Sequence, residues 1–318
     1  MKHVTSIAYL AIVAFLVAVA GETLWRNAHI NRAGAQETGF PKFGFIDKSG
    51  EFVIPPTFDL AYDFSEGMAS VRIDSAAGYI NRSGDLVIPP QFEDAGEFQD
   101  GLAPAMVNGK VGYIDSSGKF VIPPTYFPAA AFSEGLAAAM YEGKYGFINP
   151  DGRFEIPPRF QSVTPFREGL AGVRLNGKCG YIDRAGAIVI PLQYDAVGPF
   201  ANGRASVRDG SRWFFIDTEG RETGPSPDPR DMALDFSSEE GLIPARSGAM
   251  WGYVNDEGRF VIPPRFTSAQ PFSEGLAPVR IGRKYGYIDT TGELVIEARF
   301  QRAFPFKGGI ARVRTTGR

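Results

Sequence analysis

Gly112-Tyr113-Ile114-Asp115-Ser116-Ser117-Gly118-Lys119-Phe120-Val121-Ile122-Pro123-Pro124 is the stretch that decides how this chain folds. Variants of it begin at Gly44, Gly78, Gly112, Gly146, Gly180, Phe214, Gly252 and Gly286, so the step is 34 residues apart from one of 38. A fixed period of this size marks a repeat architecture. Within the stretch, Asp or Asn is followed three residues later by Gly, the pairing that a type I turn favours. The acid or amide side chain bonds the local backbone, and Gly tolerates a positive φ. The turn glycines are Gly50, Gly84, Gly118, Gly152, Gly186, Gly220, Gly258 and Gly292.

Strands flank the turn. Tyr113-Ile114 precedes it and Phe120-Val121-Ile122 follows, both rich in aromatic and β-branched residues. Ile-Pro-Pro is expected to end the second strand, because proline has no N–H to give to the ladder. Outward from there each unit carries Phe-x-x-Gly, as in Phe64-Ser65-Glu66-Gly67, and a short strand such as Ala171-Gly172-Val173-Arg174. Asn176-Gly177 then turns that strand into the next unit, the two-residue hairpin signal. The reading is all-β, with three short strands per unit.

One unit cannot stand alone. Four or five large side chains contribute roughly 1.5–3 kcal/mol each when buried, whereas ordering the backbone costs about 1–2 kcal/mol for every residue. Neighbouring units must therefore complete a shared core. The favoured arrangement is a curved open array, because 34 residues are few for a four-stranded propeller blade of about 40–45. A closed eight-unit propeller-like ring is the alternative, in which residues 311–314 dock beside residues 45–47.

The repeats resemble those of the bacterial WG-repeat, or KWG-repeat, proteins. The residues that carry the likeness are Trp251-Gly252-Tyr253-Val254, Lys284-Tyr285-Gly286-Tyr287-Ile288-Asp289, the Ile-Pro-Pro segments and the Phe-Ser-Glu-Gly turns, across residues 43–318. The literal Trp-Gly occurs once, and Trp213 is followed by Phe214. The resemblance implies a β-rich repeat that mediates interactions, and it carries over no catalytic residues.

Three segments are expected. Residues 1–20 have a basic start, an apolar run and Ala18-Val19-Ala20, the features of a secretory signal peptide; the alternative is an uncleaved anchor over residues 7–25. Either fate exports the repeats to the periplasm, the cell surface or the medium, and any membrane contact would run through that anchor. Residues 21–42 read as a linker, and residues 43–318 as the eight-unit domain. Its sixth unit, about 214–251, is irregular: it lacks Ile-Pro-Pro and carries Gly224-Pro225-Ser226-Pro227-Asp228-Pro229. Pro225, Asp228 and Arg230 mark the place for anything specific to one unit.

The sequence offers little for catalysis. With 33 basic and 36 acidic residues the formal net charge is −3, an ordinary mixture that does not ask for nucleic acid. Neither of the two histidines lies in the repeats, so no Ser/His/Asp or Cys/His set can be assembled. Cys179, the single cysteine, sits where other units have Phe43, Val111 or Trp251, and reads as a small buried residue. Glu66, Glu134, Glu168 and Glu274 resemble glycosidase acids only until their shared turn is noticed, and no cofactor or metal is implied.

What remains is a row of arginines. Arg72, Arg174, Arg208, Arg246, Arg280 and Arg314 recur at one position of the repeat, as a basic stripe or as partners of nearby acids. The expectation is a noncatalytic exported protein that offers an extended surface to another protein or to an envelope polysaccharide. A lectin-like or hydrolytic enzyme and a plain structural spacer are the alternatives.

Overall fold

The computed structural model describes residues 40–225, 240–255 and 259–317, and every regular element among them is a β-strand. Lys42–Thr316 forms one compact unit of eight antiparallel sheets. The second sheet, or blade, shows the plan: Leu60–Ala61, Met68–Ile73, Ala76–Asn81 and Leu86–Phe92 pair in that order. Seven of the eight sheets therefore have four strands among the described residues, where three per unit were expected. The extra one is so short that 34 residues suffice, which removes the objection to a ring.

The ring is closed. In the first blade the order is Phe52–Phe58, Phe43–Ile46, Ala311–Arg314, Arg302–Ala303, so the last strand of the chain lies inside the sheet that holds the first. Gly44 faces Val313 and Ile46 faces Ala311, and Thr315 N–H donates to the Lys42 carbonyl at 2.9 Å. The open array is thus set aside for the eight-blade propeller-like ring. The seventh blade has three strands among the described residues, Ile243–Ser247, Met250–Val254 and Phe260–Phe266.

Neighbouring blades are joined by the repeat itself. The aromatic after each Gly meets the Phe of the next blade's Phe-x-x-Gly edge-on or tilted: Tyr79 with Phe98, Phe147 with Phe166 and Tyr181 with Phe200 have ring centroids 4.9, 4.7 and 4.8 Å apart. Such pairs are worth about 0.5–1.5 kcal/mol beyond their burial. Where the residue is Tyr its hydroxyl also donates to a carbonyl of the next blade, as from Tyr181 to Gly198 at 2.8 Å. The Ile of Ile-Pro-Pro is buried, and the turn Gly of the following blade lies against it, Gly152 on Ile122 and Gly186 on Ile156. Gly50 packs on Ile296 in the same way, across the point of closure.

Ile-Pro-Pro does not end its strand. It lies within a seven-residue edge strand such as Phe120–Tyr126, where a missing N–H costs no ladder bond. Between Tyr113↔Ile122 and Val111↔Tyr126 this strand carries two residues more than its partner, and the bulge folds over Gly112. A Cβ at Gly112 would lie 2.5 Å from the Ile122 oxygen and 2.7 Å from the Pro124 nitrogen. This explains the Gly after the aromatic slot. It also explains the sixth blade, where Phe214↔Pro225 and Phe215↔Gly224 pair in direct succession, no bulge covers residue 214, and Gly and Ile-Pro-Pro are lost together.

Candidate interaction surface

Because every blade runs up and down in the same sense, the ring has two faces. One holds the hairpins that join second and third strands; the other holds the Asp-x-x-Gly and Phe-x-x-Gly turns. At the hairpin Asn176-Gly177 both residues take positive φ, 52° and 83°, as the two-residue connection demands. The residue before each short strand steadies this end: Glu93 accepts from Asn108 N–H at 2.7 Å, and Asp195 from Gly210 N–H at 2.8 Å.

The recurring arginines stand at this end. All six face the aromatic slot in register, Arg208↔Trp213, Arg246↔Trp251, Arg280↔Tyr285, Arg72↔Ala77, Arg174↔Cys179 and Arg314↔Phe43. Their local contacts differ. Arg72 pairs with Asp94 of the next blade at 2.9 Å, and Arg280 Nε donates to Thr267 at 3.0 Å. Arg174 donates to the Gly177 carbonyl, Arg208 lies over the Trp213 ring at 5.9 Å, Arg314 lies over Phe43 at 5.5 Å, and Arg246 is exposed. The Nε atoms of Arg72, Arg208 and Arg314 are shielded from solvent and donate to no described group.

A second basic position was missed. The first residue of the third strand is Lys110, Lys144, Lys178, Arg212 or Lys284 in five blades, with Lys42 just before it in the first. The signal was in the sequence, a Lys or Arg two residues ahead of the repeat's Gly. Lys178 bonds Asp195 at 2.8 Å, which holds its pKa above the ordinary lysine value, and Lys42 and Arg212 pair with Asp59 and Glu222. Lys110, Lys144 and Lys284 are exposed.

On the opposite face the repeated acids serve the backbone. Glu66, Glu134, Glu168 and Glu274 all have φ between 51° and 55°, and each carboxylate accepts from a Gly N–H of the next blade: Gly101 at 3.1 Å, Gly169 at 3.0 Å, Gly203 at 2.9 Å and Gly309 at 2.9 Å. Asp100 does the same to Gly135 at 2.9 Å. Burial raises the Glu274 pKa, but the N–H groups of Gly309 and Gly308, with Lys48, outweigh it, and the net shift is downward. Ser65, Ser133 and Ser273 donate to carbonyls of the next blade. The Phe-Ser-Glu-Gly turn is therefore a clasp between blades.

Of the glycine turns, Gly50, Gly84, Gly118, Gly152, Gly186, Gly220 and Gly292 have positive φ as expected, and Gly258 lies outside the described residues. Asp228 and Arg230 also lie outside them, as do residues 1–39 with the signal or anchor; Pro225 ends the strand Glu222–Pro225. Cys179 is buried and its thiol pKa is pushed up by that burial, as befits a packing residue. Among the described residues no group of three or more His, Cys, Asp or Glu is placed to hold a metal ion.

The sequence model of the family described as WG containing repeat matches residues 43–75, 78–110, 112–145, 145–179, 180–213, 251–285 and 285–318. The chain belongs to this family. The unmatched interval 214–250 takes in most of the sixth blade's third strand and all of its fourth, where Gly and the bulge are both lost. No curated protein matches this WG-repeat chain in sequence. Among solved structures it is similar in fold to a eukaryotic initiation factor at 13% identity and TM-score 0.50, covering 83% of this chain and 86% of that one. Hsv2p of Kluyveromyces lactis shows 10% identity and TM-score 0.45 over 73% and 93%. PorZ of Porphyromonas gingivalis, a surface component of the type-IX secretion system, shows 10% and 0.32 over 80% and 43%.

Proposed function

We propose that this WG-repeat protein is a noncatalytic, exported ring whose faces bind another protein or an envelope glycan. One observation carries this: the repeated carboxylates, the best candidates for acid chemistry, are each engaged by backbone N–H groups of the next blade. An acid held in that way is a structural acceptor, its oxygens committed to the neighbouring blade. Export follows from residues 1–20, whose composition is that of a signal or anchor.

The test uses the full chain incubated with isolated envelope glycan, followed by co-sedimentation and by release of reducing ends. Retention without release is expected. Release of reducing ends that Glu134→Gln abolishes, with the melting temperature unchanged, would overturn the proposal.

A further inference from the structure

The two faces of the ring differ in charge, although the chain as a whole is nearly neutral. In the seven hairpins 72–76, 106–110, 140–144, 174–178, 208–212, 246–250 and 280–284 the acids are Asp74, Glu142 and Asp209. Against them each of the seven hairpins supplies Lys or Arg at the arginine position, at the first residue of the third strand, or at both. The first blade has no such hairpin, and brings Arg314 and Lys42 to the same end. Every blade therefore contributes a cation to one circle.

Of the acids that flank the hairpins at this end, Asp59 is engaged by Lys42 and Asp74 N–H, Glu93 by Asn108 and Gly109 N–H, Asp94 by Arg72, and Asp195 by Lys178 and Gly210 N–H. The other face carries the Asp-x-x-Gly acids and the clasp acids described above. The turn face has cations too, Lys48, Lys119, Arg153 and Lys307 among them, but they stand among those repeated acids, whereas at the hairpin end cations outnumber acids. Such an asymmetry repels a polyanion from one end and orients it in solution.

We propose that the hairpin face binds an acidic polysaccharide, a chain carrying carboxylates at regular intervals. This inference rests on the binding role proposed above and specifies its face and ligand chemistry. Cations repeated once per blade suit a polymer that repeats its charge. A protein partner is favoured less, because interface centres are apolar and poor in lysine, whereas here Lys110, Lys144 and Lys284 are exposed on the circle. Two exposed aromatics lie on the same face, Tyr141 and Phe127, at 47% and 54% exposure. Tyr141 sits opposite Lys144 in the hairpin, an apolar plate beside a cation.

The experiment compares the full chain with two charge-reversed sets, Lys110→Glu with Lys144→Glu and Lys284→Glu on the hairpin face, and Lys119→Glu with Arg153→Glu and Lys307→Glu on the turn face. All six residues are exposed, and the melting temperature of each set is the check that it folds. The probes are polygalacturonate, neutral dextran and a single-stranded DNA homopolymer, measured at about 0.02 and about 0.15 M salt. The expected result is salt-sensitive binding of polygalacturonate, weakened at least about tenfold by the hairpin set and less than about twofold by the turn set. Equal losses from the two sets, no binding of polygalacturonate by the unaltered chain, equal binding of dextran, or tighter binding of DNA would each overturn it. None of these outcomes involves release of reducing ends, so failure here is distinct from failure of the noncatalytic role.

Discussion

Replacing Tyr181 by Phe removes one oxygen from the contact between the fifth and sixth blades and leaves the rest in place. The side chain is fully buried, its ring meets Phe200 at 4.8 Å, and its hydroxyl donates to the Gly198 carbonyl at 2.8 Å. The ring pair survives the change, as it does naturally at Phe147 and Phe166, whose centroids are 4.7 Å apart. What is lost is a buried hydrogen bond, leaving the Gly198 oxygen shielded from water without that donor. Such a loss costs about 1–3 kcal/mol, and for a domain of this size each kcal/mol lowers the melting temperature by about 2–4 °C. Thermal and urea melts of Tyr181→Phe should show that loss, while Tyr141→Phe, at an exposed hydroxyl, should leave both midpoints unchanged. If the two variants melt alike, the hydroxyl does not join the blades and the interface has been misread.

Further outcomes follow from the same contacts. Gly112→Ala should abolish folding or lower the unfolding free energy from urea melts by several kcal/mol, since its Cβ would press on the Ile122 and Pro124 backbone; a urea midpoint within experimental error of the unaltered chain's would refute the bulge. Tyr79, Tyr113, Tyr181, Tyr253 and Tyr287 have their phenol pKa values raised above 10, chiefly by burial. The folded state then holds protons that the unfolded state releases, so the contribution of these tyrosines to urea stability is constant below about pH 10 and the stability should fall as pH rises further; a profile flat from neutral pH to about pH 11 would contradict it. Glu274→Gln should lower the melting temperature at neutral pH and reduce its decline below the ordinary carboxyl range, because the depressed pKa of Glu274 makes its contribution vanish as acid protonates it. Arg312 spans the closure, with Nε 2.9 Å from Asp63 and its guanidinium 3.7 Å from the Phe304 ring centroid. Arg312→Ala should cost about 1.5–3 kcal/mol and speed hydrogen exchange along Ala311–Arg314; unchanged exchange there would show that the seam is held elsewhere.

Much of the fold was legible because it is repeated. The Asn176-Gly177 hairpin, the Asp-x-x-Gly turns and the strands beside them are local, and each follows from the φ and hydrogen-bond needs of a few residues. The two-residue strand Leu60–Ala61 was not legible, since a pair of residues shows no alternation. Missing it made 34 residues look too few for a blade and favoured the open array. Ile-Pro-Pro misled for a related reason: proline ends a central strand, but here it occupies an edge strand and a bulge over Gly112. The acids of Phe-x-Glu-Gly were rightly assigned to their turn, yet their partners lie on the next blade, a contact that no single unit displays. At the basic end the arginines were found, but the basic residues two before the repeat's Gly in most blades were not singled out.

Closure of the ring by the last strand is tested most directly by cross-linking its two ends. Lys42 and Thr315 exchange hydrogen bonds at 2.9 and 3.0 Å, a spacing between strands that a disulfide spans. Lys42→Cys with Thr315→Cys, in a Cys179→Ser background, should oxidise within one chain and give a species that runs ahead of its reduced form on a denaturing gel. Two free thiols, or cross-links only between chains, would mean that the ends do not meet and that the blades form an open array.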